Sequence, residues 1–239
     1  MGRSRLRRLL MPAYLGLGAA NLLANAVQSR VLEVATKPLL MPLLMAHVTS
    51  ALADRGLRRP DQWVLAALAF STVGDVALLG SGDEAFLAGL GAFLFAQLSY
   101  LAAFREYRGQ GPVAANPWLL LPFAGWWAVL LGLLHSDLDD MLLPVAGYGA
   151  VLVTMAAHAW RVSPRVGTGA ALFVVSDSLI ALTSLSDRFA FTGDDVAIMA
   201  TYLAGQALIA TGWVDRRLAE LPAASEPAAT PAPPPAVAG

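Results

Sequence analysis

Apolar runs of about twenty residues recur along most of the chain, separated by short polar segments. Runs of that length with few charges inside them are what a helix needs to cross a bilayer, and they exceed what a soluble core helix requires. Eight spans are predicted, over residues 9–28, 34–53, 62–80, 85–104, 116–134, 141–160, 166–186 and 195–214. Their connections are short, so neighbours in sequence are expected to be neighbours in an antiparallel bundle. The expected fold is all-α, a polytopic membrane helical bundle over residues 1–221. Residues 222–239, rich in Ala and Pro, read as a disordered tail that cannot bury a core.

Composition agrees with this pattern. Of 239 residues, 57% are hydrophobic and only 14% charged, where a soluble domain averages about a quarter charged. Cysteine is absent, which removes disulfides, thiolate nucleophiles and Cys-ligated metals. The basic start "MGRSRLRRLL" resembles a signal sequence but reads as the head of a retained first span.

Charge placement gives the expected orientation. With the N-terminus in the cytoplasm, only Arg30, Lys37 and Arg188 of the sixteen basic residues fall in outer segments, leaving thirteen inside. The outer segments are instead acidic, with Asp83, Glu84, Asp137, Asp139, Asp140, Asp187, Asp194 and Asp195. Both termini are therefore expected in the cytoplasm, and the expected location is a bacterial cytoplasmic (inner) membrane. No basic face suggests a nucleic-acid partner.

Two acids break the apolar pattern. Asp75 lies in "FSTVGDVALLG" and Asp177 in "LFVVSDSLIAL". An ionised carboxylate at mid-bilayer costs at least ~2.5 kcal/mol, so such a group normally faces a partner or a wet cavity. At 1.5 Å per residue, Asp75 sits ~8 Å and Asp177 ~13 Å below the outer surface, on helices running the same way. Two acids at similar depth are placed to line one cavity. The plainer alternative is that each merely bonds a neighbouring helix.

Other polar residues share the outer half. Glu33 and Lys37 are spaced to pair on one helix face, and Lys37 is placed to meet a phosphate or a carboxylate. A snorkelling lysine at the interface is the plainer reading. Gln97 and Tyr100 share a face of the fourth span, and Tyr202 and Gln206 a face of the eighth. Taken singly, each of these four is most simply a helix–helix hydrogen bond. A faint internal repeat pairs spans 3 and 4 with spans 7 and 8, through the two acids and the two glutamines. His47, His135 and His158 have no metal-ligand spacing, and neither a G-x-S-x-G elbow nor a P-loop occurs. No metal or other cofactor is expected.

The segments "TKPLLMPLL", "AALAFSTVGDVALL", "FLAGLGAFLFAQLSY", "GAALFVVSDSLIAL" and "YLAGQALIATG" together resemble the YhhN-type lysoplasmalogenases, in the same order and over most of residues 37–212. Gln97 departs from the pattern, since histidine is expected there in many relatives, so no proton-carrying role is implied at that position. The resemblance implies an eight-span membrane hydrolase that cleaves the vinyl ether bond of lysoplasmalogens. The products would be a fatty aldehyde and a glycerophospho-ethanolamine or -choline. It implies Asp75 and Asp177 as catalytic residues and Lys37, Gln97, Tyr100, Tyr202 and Gln206 as substrate-binding ones. The implied partners are a lysophospholipid substrate and membrane lipid.

The implied chemistry gives the acids work. Protonating the β-carbon of a vinyl ether yields an oxocarbenium ion that water captures. This needs a proton donor, a nearby negative charge and a base, roles that two carboxylates divide in glycoside hydrolysis. In one assignment the less solvated acid, taken as Asp177, donates the proton while Asp75 stays ionised; the exchanged assignment fits the sequence equally. Lys37 would hold the phosphate. Two alternatives stand beside hydrolysis: a transporter or channel using the intramembrane acids as an ion path, and a non-catalytic lipid-binding scaffold.

Overall fold

The computed structural model describes residues 3–111 and 115–220. Eight long helices run through them: α1 (Arg3–Ala26), α2 (Arg30–Leu52), α3 (Arg59–Ala77), α4 (Asp83–Phe104), α5 (Leu121–Leu134), α6 (Leu142–Ala159), α7 (Pro164–Leu185) and α8 (Asp194–Ala219). No strand occurs among the described residues. Each predicted span falls on one helix, while the tail over residues 222–239 lies outside the described residues.

Six helices, α1, α2, α4, α6, α7 and α8, are long and apolar enough to cross a membrane. Of the other two, α3 carries Arg59, Asp61 and Asp75 within 19 residues, and α5 has 14 residues after a short 3-10 turn over Pro117–Leu120. Large apolar side chains point outward at Leu15 (62% exposed), Val31 (79%) and Leu143 (82%). In water such a surface would be an aggregation hazard; on a multi-pass bundle it is the face that lipid covers.

Polar caps explain why helices start ahead of the apolar windows. At α3, the Arg58 N–H donates to Asp61 Oδ2 at 2.8 Å, and Pro60 stands in the first turn. At α7, Val166 N–H donates to Ser163 Oγ at 3.2 Å, with Pro164 leading the helix. The far end of α8 overruns its predicted limit because its last turns are anchored. Arg217 Nε donates to Asp61 Oδ1 at 3.0 Å, beside Trp213 Nε1 at 2.9 Å, so a buried ion pair ties α8 to the start of α3.

The antiparallel bundle has two chemically distinct ends. One carries the α1–α2, α3–α4, α5–α6 and α7–α8 connections, with Asp83, Glu84, Asp137, Asp140, Asp187, Asp194 and Asp195 in or beside the last three; the other carries the arginine-rich connections and both ends of the described chain. Below, these are the acidic end and the basic end.

Close pairs are made by small residues. A Cβ on Gly169 of α7 would stand 2.7 Å from the Gly205 carbonyl oxygen of α8, and one on Gly205 2.8 Å from the Gly169 oxygen. The two backbones therefore touch, which only glycine on both sides permits. Between α3 and α4, a Cβ on Gly74 would meet the Phe93 ring at 2.7 Å, and one on Gly89 would meet Leu78 at 2.6 Å. Towards the basic end the interior is closed by the fully buried Phe104, Tyr107, Phe173 and Trp213. Lys37, Asp75, Asp177 and Tyr202 lie in the acidic half of the bundle.

Candidate active site

The residue before each acid explains how the acids are placed. Gly74 lets the Phe93 ring lie directly on α3, so Asp75 emerges beside it. Ser176 Oγ donates to the Ile198 carbonyl of α8 at 3.1 Å, which holds α7 against α8 just before Asp177. Both acids point into the bundle, with 2% of Asp75 and 8% of Asp177 exposed. Asp75 is thus the more enclosed of the two, the reverse of the expectation that Asp177 is the less solvated. Gly74 brings the Phe93 ring against α3 next to Asp75, whereas Asp177 also borders a second space.

Each carboxylate is held by one oxygen. Tyr202 Oη of α8 donates to Asp75 Oδ2 at 2.9 Å. Tyr148 Oη of α6 donates to Asp177 Oδ2, and Gln97 Nε2 of α4 donates both to that oxygen, at 3.3 Å, and to Tyr148 Oη, at 2.7 Å. Neither Oδ1 makes a hydrogen bond among the described residues. A carboxyl fixed through one oxygen keeps the other for a ligand or water.

Asp75, Asp177, Lys37 and Tyr202 line one small cavity, walled also by Phe93 and Met199. Lys37 is 8% exposed, and its Nζ stands 3.5 Å from Glu33 Oε1, the pairing expected from the sequence. Glu33 also binds Arg30 at 2.9 Å through its other oxygen, so Lys37 has only part of a carboxylate.

A second space shares the Leu78–Phe93–Ile180 wall with this cavity. It is an apolar groove among α4, α5, α6 and α7, and Asp177 borders it as well as the first cavity. Tyr148 lies at its edge.

Not all the predicted binding residues reach the cavity. Gln97, Tyr100 and Gln206 are fully buried behind its wall. Tyr100 Oη donates to Gln206 Oε1 at 2.6 Å, and Gln206 Nε2 donates to Ser71 Oγ at 3.1 Å. Gln97 and Tyr100, on one helix, therefore serve different networks. Each glutamine bonds across to the other half of the chain, Gln97 to α6 and α7 and Gln206 to α3 and α4. The sequence reading missed Tyr148. Its signal was depth: it lies six residues into α6, as Asp177 lies eight from the end of α7, so both sit ~10 Å from the acidic end.

The YhhN family matches residues 32–213, which takes in every one of these residues. The chain belongs to the YhhN family. Human lysoplasmalogenase TMEM86B is 35% identical over 148 residues, covering 62% of this chain and 62% of its own length. The lysoplasmalogenase of Mycobacterium tuberculosis is 30% identical over 200 residues, covering 76% of this YhhN-family chain and 73% of itself. Bovine lysoplasmalogenase TMEM86A is 31% identical over 172 residues, covering 64% and 66%. The chain thus aligns with about 62% of the length of the human TMEM86B relative. No solved structure matches significantly.

Proposed function

We propose that this chain is a membrane lysoplasmalogenase, hydrolysing the vinyl ether of a lysoplasmalogen to a fatty aldehyde and a glycerophospho-ethanolamine or -choline. The observation that carries this reading is one cavity lined by two carboxylates, a lysine and a tyrosine in an otherwise apolar bundle. Relatives named lysoplasmalogenase support the choice of bond.

In the proposed reaction, Asp177 protonates the vinyl β-carbon through its free Oδ1. The double-bond electrons form the new C–H bond, and the α-carbon becomes an oxocarbenium ion beside ionised Asp75. Water adds to that carbon while Asp75 takes its proton. The resulting hemiacetal loses its hydroxyl proton and expels the glycerol oxygen, which is protonated as it leaves, so that one water is consumed overall. The division follows the lining: both acids share the cavity with Lys37, and of the two only Asp177 also borders the apolar groove. Lys37 binds the phosphate, Tyr202 holds Asp75, and Gln97, Tyr100 and Gln206 hold the wall behind them.

With the basic end in the cytoplasm, the cavity lies in the outer half of the bundle. Transport is less well supported, because beneath the acids Tyr100, Phe104 and Trp213 fill the interior with no exposed surface.

The test is aldehyde release by purified, detergent-solubilised protein from 1-alkenyl-lysophosphatidylethanolamine, beside Asp75→Asn and Asp177→Asn. Aldehyde from the wild type alone is expected. No aldehyde from folded wild type with either ethanolamine or choline headgroup would overturn the reading.

A further inference from the structure

The groove beside Asp177 has no part in the acid–base chemistry above, yet it meets that chemistry at one residue. Its walls are apolar: Phe86 and Leu90 from α4, Leu130 from α5, Val145 and Leu152 from α6, and Ala181 from α7. Its polar end is Asp177 with Tyr148. From Asp177 to Leu185, both on the groove, α7 advances eight residues, or ~12 Å.

The far end is not closed. Leu78, Phe86 and Leu185 also border a wider space at the acidic end, near Gly82 and Asp83. A narrow apolar trench with one acid at its inner end and an open outer end suits a single unbranched hydrocarbon chain. It does not suit a polar headgroup, which would lose its hydration there without partners. The cavity on the other side of the wall has the opposite character, with Lys37, Asp75 and Tyr202.

We propose that the groove lined by Ala181 and Phe86 is the site for the substrate's alkenyl chain, and that these two residues set the chain lengths accepted. This rests on the lysoplasmalogenase reading. The headgroup and glycerol lie on the Lys37 side and the chain on the groove side, and the vinyl ether passes between them at Asp177. The β-carbon belongs to the chain and the ether oxygen to the glycerol. The geometry therefore puts the β-carbon on the groove side of Asp177, and the cation that follows on the Asp75 side. The two acids differ in role because they border different parts of one bent substrate.

Ala181 stands one turn beyond Asp177, where a larger side chain fills the groove. Phe86 stands at the open end, where truncation widens it. The test compares substrates with butenyl and hexadecenyl chains, using Ala181→Phe and Phe86→Ala in protein that elutes and melts like the wild type. Ala181→Phe is expected to lower kcat/KM for the hexadecenyl substrate at least about tenfold relative to the butenyl one, which ends within about one helical turn of Asp177. Phe86→Ala is expected to move the ratio the other way. Binding of the saturated hexadecyl and butyl ether analogues, which have no vinyl bond to cleave, is measured on the same proteins. Weakened hexadecyl binding by Ala181→Phe would support the groove even with no aldehyde from any protein, a result that would sink the hydrolase reading alone. Aldehyde release with wild-type chain-length ratios in both variants would overturn the groove assignment and leave the hydrolase standing.

Discussion

Tyr148 and Asp177, on neighbouring helices and 29 residues apart in sequence, are joined by a hydrogen bond in which the phenol donates to Oδ2. The same phenol accepts from Gln97, so three helices converge on one carboxyl oxygen. This arrangement orients Asp177 through Oδ2 and leaves its other oxygen without a hydrogen bond among the described residues.

Tyr148→Phe keeps the ring and removes the bond. A hydrogen bond to a charged group is worth about 1.5–3 kcal/mol. If orientation is realised in the transition state, kcat should fall roughly 10- to 100-fold with KM little changed. Steady-state kinetics would check this; a rise in KM alone would show that Tyr148 binds substrate and does not orient the acid.

Lys37→Met should act in the opposite way. It removes the cation while keeping an unbranched stem in the wall, so KM for a phosphate-bearing substrate should rise roughly 10-fold or more, with kcat within a few-fold. An alkenyl glycerol without phosphate is the control, and it should be cleaved equally by variant and wild type. Equal losses on both substrates would remove Lys37 from phosphate binding.

The buried Asp61–Arg217 pair at the basic end concerns stability. Their side chains are 1% and 5% exposed, and Trp213 donates to the same oxygen. Removing one partner strands a buried charge and costs roughly 3–5 kcal/mol. Asp61→Ala and Arg217→Leu should each lower the melting temperature in detergent, and the double variant should lose much less than the sum. Additive losses would show that the two are not coupled.

Gly205 tests the backbone contact between α7 and α8. A side chain there must displace the Gly169 carbonyl, 2.8 Å from its Cβ, so Gly205→Leu should destabilise by at least about 1–3 kcal/mol. Gly91, with nothing within 4 Å of a Cβ, should accept alanine without loss. Equal melting temperatures for the two variants would contradict the close approach.

Much of this architecture was legible before any coordinates. The apolar runs located all eight helices, because a segment that must satisfy its backbone inside lipid has no alternative to the helix. The same physics marked Asp75 and Asp177, since an acid in such a run needs a reason, and helical spacing paired Glu33 with Lys37. These are local properties, set by length, hydropathy and the pitch of one helix.

Which residues meet was decided by the packing of one helix on another. Gln97 and Tyr100 share a helix face yet bond to different neighbours, Asp177 and Gln206. Tyr148, unremarkable in a run of small and apolar residues, becomes the partner of an acid because α6 lies against α4 and α7. The division between a charged cavity and an apolar groove depends on where Phe93, Leu78 and Ile180 come together. Periodicity says which way a side chain leaves its own helix; only the crossing of helices, set by contacts such as Gly169 on Gly205, determines what stands opposite it.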